Sequence, residues 1–549
     1  MKRKAVAAVL TAVMVASMFT GCGSDNGSSS AKSASAASAA SAASAANDTV
    51  DEDGKVNGIM YQEGLPLVDE GDYTFSIFCD DSSESGEFIM LDEFKKQTNV
   101  DVDLKIYPYE TATERLNLDL NSGDYADVIG GWTLSDNAIL TYGVNQGVFI
   151  PLEDYFEKYC PNISAILDLP GVREKMTAPD GHIYTIPYVC TDTTVGYSPY
   201  INTKWLENVG MSMPTTTDEF EAVLKAFKEQ DANGNGDASD EIPFSTDPNN
   251  KHIEAMAGYF GLPMNKLGIA IQNEKVVYGG VSDTYREFLS WFHKLYAEGL
   301  VDVELYTQDS STWEGKGNQD LYGVSIAYGS NEFTGIPAAE ERGDFDSMPV
   351  LNTDKDGIWL RDTEGFSVYR TQAVITNKAE HPEIICRWFD NAFALENGIG
   401  CNRGPVGVIV NKEDDGYHAI DTTTLSEEDQ EKYSWGNLWP QSLPKYLPAD
   451  FEFVEEHPMY DEKKATEEAY EANLTKEIIP SYWIDLDKID TFSDTNTAIK
   501  DFFEQQQAQF VCGELDIDND ADWQAYVDGM YSLGLEDWVA TQGIEEIAK

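Results

Sequence analysis

YTFSIFCDDSS, residues Tyr73 to Ser83, decides the fold class of this 549-residue chain. An apolar and aromatic run, Tyr73 to Cys79, stops abruptly at Asp80-Asp81-Ser82-Ser83, as a buried strand does when it ends in a polar loop. The same grammar returns downstream in Val100 to Tyr107, and again in Asp127-Val128-Ile129 before Gly130-Gly131-Trp132. Helical patterns lie between these runs. Phe88, Leu91 and Phe94 recur at i, i+3, i+6, and Leu116, Leu118 and Leu120 stand among good helix formers. Strand, helix, strand in this order predicts βαβ units and a largely parallel sheet.

A second region, roughly 195–360, has helices of its own. Phe220, Val223, Leu224 and Phe227 fall at i, i+3, i+4, i+7, and Thr216 with Glu219 offers a capping box. Phe288, Leu289, Phe292, Leu295 and Tyr296 repeat the pattern, and Tyr322 to Tyr328 reads as a buried strand. Gly365 to Val368, Ala373 to Ile375 and the helix-like His381 to Glu396 return to the style of the first region. The chain is longer than one core usually serves, and 28 Tyr, 24 Phe and 11 Trp supply ample material for two. A chain that leaves a domain and comes back predicts two α/β lobes with several crossings. The expected boundaries are 59–190 for an N-terminal lobe with a return segment at about 365–410. A C-terminal lobe over 191–364 has a return at about 411–500, and closing helices occupy 501–549.

The N-terminus is a different object. Lys2, Arg3 and Lys4 precede an apolar stretch from Ala5 to Phe19 and then small residues, the layout of an export signal over 1–21 and too short for a membrane span. Phe19-Thr20-Gly21-Cys22 resembles the lipobox of bacterial lipoproteins, which implies cleavage before Cys22 and a lipid on that cysteine. From Gly23 to about Gly58 the chain is Ser, Ala, Asn, Asp and Gly, with no large apolar residue before Val50. Such a segment cannot bury enough surface to offset its ordering entropy, so 22–58 reads as a tether with an r.m.s. reach of about 30–35 Å.

Charge excludes several partners. The formal net charge is −60, and removal of the leader takes away three basic residues and no acid, leaving −63. Nucleic acid and anionic lipid surfaces are disfavoured at that potential. The cysteines beyond Cys22, at 79, 160, 190, 386, 401 and 512, are too scattered for a zinc site and read as buried thiols or at most one or two bridges.

Between a helix and a strand the chain reads KEQDANGNGDASDEIPF, residues Lys228 to Phe244. Asp231, Asn233, Asn235, Asp237, Asp240 and Glu241 alternate with small residues, and a calcium ion takes six to eight such oxygens. Counting Asp231 as position 1, position 12 is Ile242 rather than Glu, and Ile242-Pro243-Phe244 does not start a helix. A calcium sensor is therefore disfavoured. A structural calcium at the helix-to-strand turn is the reading that the alternation and the two neutral Asn favour over a solvated acidic turn.

The stretch Tyr197-Ser-Pro-Tyr-Ile-Asn-Thr-Lys-Trp-Leu-Glu-Asn-Val-Gly, then Met213-Pro-Thr-Thr-Thr-Asp-Glu-Phe-Glu, then Leu224-Lys-Ala-Phe-Lys and the loop ending Asp240-Glu-Ile-Pro resembles the family 1 extracellular solute-binding proteins of ABC importers. Ala508-Gln-Phe-Val-Cys-Gly-Glu-Leu-Asp, Trp523-Gln-Ala-Tyr-Val and Leu533-Gly-Leu are similar to the closing helices of its larger lipoprotein members. The resemblance implies a two-lobed, periplasmic-binding-protein-like α/β fold whose discontinuous lobes are joined by a hinge. It also implies a monomeric, lipid-anchored receptor on the outer face of the cell membrane that delivers an oligosaccharide to an ABC permease. In the alginate-binding relatives a similar Asp/Asn loop holds a structural calcium.

The rival class is an enzyme. With 97 carboxylates a chance acid pair carries no weight, and the chain has no G-x-S-x-G, H-E-x-x-H or Walker loop. In open α/β sheets ligands sit beyond the carboxyl ends of the strands. That rule selects Asp81 and Ser82, Trp132, and Tyr328. Sugar faces suit aromatic platforms beside polar groups, which adds Trp313, Trp359 with Arg361, and Trp435 with Trp439. For any single Trp a packing role serves equally well, and for Trp205, with Leu206 behind it, packing is the preferred reading. A surface carbohydrate-binding adhesion or co-receptor module without transport is the alternative function.

Overall fold

A computed structural model describes residues 48–549 except 82–86, 192, 249–251, 336–342, 421, 449–450, 452, 455–457, 545 and 549. The leader, Cys22 and most of the tether lie outside the described residues, as does Ser82. The frame rests on strands β1 (Tyr73–Asp80), β2 (Val100–Tyr107), β3 (Val128–Gly130), β4 (Tyr188–Thr191), β5 (Ser198–Asn202), β6 (Ile242–Thr246), β7 (Tyr322–Ala327), β8 (Phe345–Ser347), β9 (Phe366–Tyr369) and β10 (Ala373–Ile375).

Two four-stranded sheets carry the two lobes, in the orders β10-β3-β1-β2 and β8-β5-β7-β6. In the first, β1 runs parallel to β2 with Tyr73 opposite Val100, and parallel to β3 with Ile77 opposite Val128. The returning β10 closes this sheet antiparallel, with Ala373 opposite Gly130. In the second, β7 is parallel to β6 but antiparallel to β5, with Ala327 opposite Ser198. The parallel expectation therefore holds for β1 with β2 and β3 and for β6 with β7, whereas β10 in the first sheet and β5 in the interior of the second run antiparallel to their neighbours, which the simple grammar does not anticipate. Strands β4 and β9 join neither sheet. They pair with each other as an antiparallel ribbon, Tyr188 opposite Tyr369, on two of the segments by which the chain passes between lobes.

Packing explains the lobes. In the first, Trp388 stacks on Trp439 at 5.7 Å, and Phe94 and Phe75 press on that pair, all of them buried. In the second, the helix Thr217–Glu229 buries Phe220, Val223, Leu224 and Phe227, as its periodicity predicts. Thr216 caps it by accepting from Glu219 N, while Glu219 reaches back to Thr215 N at 2.8 Å. Trp205, fully buried, meets Phe227 edge-on at 5.3 Å, in agreement with its packing reading.

Three sequence boundaries move. Val56 and Met60 are fully buried in the first-lobe core, and Tyr159 donates to Asp48, so 48–58 belongs to the body rather than to the tether. Trp439 and Leu443 belong to that same core, which carries the first lobe's return past 410. The closing helices share the second lobe's core through Phe510, Trp523, Tyr526 and Trp538. The helix Ile489–Cys512 begins on a first-lobe cluster at Ile489 and ends on the second-lobe core at Phe510 and Val511. None of Cys79, Cys160, Cys190, Cys386, Cys401 and Cys512 is bridged, which settles the sequence alternatives in favour of thiols. Among the described residues, no helix is long and apolar enough to cross a membrane.

Candidate functional site

The first lobe presents its strand ends through a carboxylate. Asp80 closes β1 and accepts from Trp132 N at 2.9 Å and Thr133 N at 2.6 Å. Gly131 lies between, at φ 132°, where a Cβ would stand 2.2 Å from Asp80 Oδ1. Only glycine lets this loop close on the carboxylate. Burial pushes the Asp80 pKa up, against the pull of these hydrogen bonds. The result is a fixed platform: Trp132 is 45% exposed, with Tyr369 edge-on at 5.4 Å and Tyr188 at 6.4 Å. Tyr188 and Tyr369 come from β4 and β9, so this aromatic group stands where the first lobe meets the hinge ribbon.

The second lobe presents a matching group. Tyr328 follows β7 and is half-buried, Tyr197 meets it edge-on at 6.1 Å, and His252 stacks on Tyr197 at 4.1 Å and 10°. Burial lowers the His252 pKa to about 4, with Lys266 adding to the effect, so the imidazole is neutral near pH 7. Sequence reasoning missed Tyr188, Tyr369, Tyr197 and His252, the last because it opens the helix Ile253–Phe260 and follows no strand directly. The strand-end rule looks beyond carboxyl ends, whereas Tyr197 precedes an antiparallel strand whose amino end lies beside the carboxyl end of β7, and the ribbon tyrosines lie within strands.

Other sequence candidates divide by burial. Trp313 donates to Ser325 Oγ at 3.2 Å against Phe333, Trp359 is wedged between Tyr259 and Tyr470, and Trp439 is stacked on Trp388. Each is at most 3% exposed, so protein already covers its faces and these three act as core. Asp81 is likewise buried, and its carboxylate accepts from Gln441 N at 2.7 Å, pinning the returning chain to the strand end. Trp435 keeps a free aspect, 51% exposed, with Lys445 Nζ 5.5 Å from its ring centre. Arg361 donates to Thr475 O and to Glu471.

A cavity of about 1160 Å³ is lined from both lobes, by Thr133, Asp136 and Asn137 of the first, Asn265 and Leu267 of the second, and Arg361 and Asp362 of the crossing. Thr133 adjoins Trp132 in the chain. Asp362 accepts from Gly196 N beside Tyr197. Asp136 is paired with Arg370 at 2.5 Å, so several charges around the cavity are already matched within the protein.

The loop after the helix Thr217–Glu229 closes on its own side chains. Asp231 accepts from Gly236 N, Asn233 from Asn235 N, Asn235 from Asp237 N, and Glu241 from Ala232 N. Both Asn amides point their NH₂ groups at Asp240, at 3.2 and 2.7 Å, as donors standing against a carboxylate. Asp231 Oδ1 and Glu241 Oε2 are buried without a hydrogen-bond partner. Burial pushes the Glu241 pKa up. Orphaned carboxylate oxygens are costly unless a cation meets them, so this donor set fits a hard oxygen-liganded ion. Asp237 turns its carboxylate to Ser239, which leaves its main chain as the group it can offer. The next element is strand β6, not a helix, in agreement with the reading against a sensor.

The sequence profile of bacterial extracellular solute-binding proteins matches residues 81–398. The fructooligosaccharide ABC transporter substrate-binding protein FusA of Streptococcus pneumoniae is 33% identical over 335 residues, 59% of this chain and 61% of that protein. Lipoprotein LipO of Bacillus subtilis is 28% identical over 280 residues, 49% of this chain and 52% of that protein. The chain thus aligns with about three fifths or less of the length of these curated relatives. The solved S. pneumoniae FusA in complex with kestose superposes with a TM-score of 0.75 at 26% identity, covering 85% of this chain and 98% of that one. Alginate-binding protein AlgQ2, solved without calcium ion, shares the fold at a TM-score of 0.70 and 22% identity, covering 88% of this chain and 99% of that one. With two discontinuous α/β lobes, a hinge ribbon between them and a family match over more than half its length, the chain belongs to the bacterial extracellular solute-binding proteins.

Proposed function

We propose that this chain captures a neutral oligosaccharide between its lobes and delivers it to the permease of an ABC importer. The observation that carries this reading is the pair of aromatic groups, Trp132-Tyr188-Tyr369 where the first lobe meets the ribbon and Tyr328-Tyr197-His252 on the second lobe, which adjoin, through Thr133 and through Asp362 at Gly196, a cavity lined with hydroxyls and amides. Rings meet the apolar faces of pyranose or furanose units, and Thr, Ser and Asn side chains meet their hydroxyls. The guanidinium groups of Arg361 and Arg370 are already paired with Glu471 and Asp136, and the carboxylates of Asp136 and Asp362 carry the same charge as a uronate and would repel it, so a neutral sugar suits this surface better. Closure follows as a population shift: a sugar touching both aromatic groups favours the closed state by the contacts that only that state makes. A panel of defined oligosaccharides tests the reading by titration calorimetry. Binding confined to uronic-acid chains would overturn the neutral-sugar assignment.

Asp231, Asn233, Asn235, Asp240 and Glu241, with the Asp237 carbonyl, would hold calcium. The ion would supply positive charge to the two orphaned carboxylate oxygens. If it binds only the folded chain, calcium at 100 times its Kd stabilises by about 2.7 kcal/mol. Chelation, or Asp231→Ala with Asn233→Ala, is therefore expected to lower Tm clearly. Sugar affinity measured well below the transition is expected to stay unchanged, because none of these side chains lines the cavity. Lost affinity with an unchanged Tm would place calcium at the ligand instead.

The same reading makes the protein a monomer held to the outer face of the cell membrane through a lipid on Cys22. Cys22→Ala is expected to release it into the medium, with sugar affinity unaltered. Retention in the membrane fraction would contradict the anchor.

A further inference from the structure

The helix Pro458–Tyr470 ties the second lobe's strand ends to the hinge with successive side chains. Glu462 accepts from Ser330 N at 2.8 Å and from Ser330 Oγ, and Glu467 accepts from Thr194 N and Oγ1. Between them Lys463, 6% exposed, sends its ammonium to Gly196 O at 2.8 Å and to Tyr328 O, and holds it 4.0 Å from the centre of the Tyr328 ring. Gly196 directly precedes Tyr197. One buried cation thus grips the carbonyl of Tyr328 and that of the residue before Tyr197, and lies against the Tyr328 ring.

We propose that Lys463 is a positioning residue for sugar capture, fixing Tyr328 and Tyr197 as a rigid platform without touching the sugar itself. Resting on the oligosaccharide reading above, it adds the group that determines how firmly the second lobe presents its rings. An ammonium with two carbonyl acceptors and a ring face has its donors directed, and a buried cation over an aromatic ring is worth far more than an exposed one. The groups facing it are Glu462 and Glu467 of its own helix, Glu332 of the helix Asn331–Thr334, Asp362 of the crossing, and Tyr328. Burial brings the lysine down to about 8 and lifts Glu332 to about 7. Above neutrality Glu332 is ionised and favours the cation, so alkaline loss of the platform reports Lys463 itself.

The test uses the chain without residues 1–22 and a neutral oligosaccharide that it binds, kestose being the first probe, with Kd measured between about pH 6 and pH 10. Wild type is expected to weaken progressively above about pH 8. Lys463→Met is expected to bind about tenfold more weakly at neutral pH. Lys463→Arg, whose guanidinium still donates to both carbonyls and does not titrate, is expected to bind nearly as wild type at neutral pH and to lose the alkaline fall. Should Lys463→Met fail to fold, the comparison of wild type with Lys463→Arg decides alone. Identical pH profiles for these two, or Lys463→Met binding within twofold of wild type, would overturn the proposal while leaving the receptor reading intact. A wild-type chain that binds no oligosaccharide would overturn both.

Discussion

Trp439→Ala is expected to lower the unfolding free energy of the chain by about 3–5 kcal/mol, the usual cost of emptying a large aromatic site in a core. The ring is fully buried, stacked on Trp388 and pressed by Phe94, and its Nε1 donates to Leu443 O at 3.3 Å. It also fastens the returning chain to the first lobe, so thermal unfolding should begin there. Sugar affinity, measured at a temperature where the variant is folded, should change little. A tryptophan that instead served as a sugar platform would show the reverse, a weakened Kd at an unchanged Tm. That outcome would return Trp439 to the site.

Trp132→Ala should give this reverse pattern. Its ring is 45% exposed and rests edge-on against Tyr369, so removing it empties no core and leaves Tm nearly unchanged. Fixed by Asp80 through the main chain, it behaves as a rigid anchor of the kind that dominates binding energy. The expected loss is about 2 kcal/mol, roughly 30-fold in Kd, and should appear chiefly as faster release. Trp132→Phe should recover part of it, since a smaller ring still offers a face. Equal affinity for Trp132→Ala and wild type would remove this group from the cleft.

Much of this architecture is legible in the sequence because burial leaves a strong imprint. The abrupt end of Tyr73 to Cys79, the 3.6-residue spacing from Phe220 to Phe227 and the run at Tyr322 each became the predicted element. The loop from Asp231 to Glu241 is legible for another reason: its acidic and amide side chains are local in sequence and close on one another. The aromatic site is far less so. Tyr188 meets Tyr369, and Tyr197 meets Tyr328, only because antiparallel strands from distant segments bring them together. Periodicity also cannot separate a tryptophan that packs from one that binds: Trp435 and Trp439 lie four residues apart, one 51% exposed and the other fully buried. Val56 shows the same limit at small scale, since a lone apolar residue in a polar segment is fully buried in the core beside Met60.

The most direct test of the central claim is calorimetric titration of the chain lacking residues 1–22 with neutral and uronic oligosaccharides, coupled to X-ray scattering of the free and loaded protein. One-to-one binding of at least one neutral oligosaccharide is expected, with a smaller radius of gyration on loading as the lobes close and recovery of the sugar intact. Absence of binding across the whole panel, or cleavage of the bound sugar, would contradict the claim.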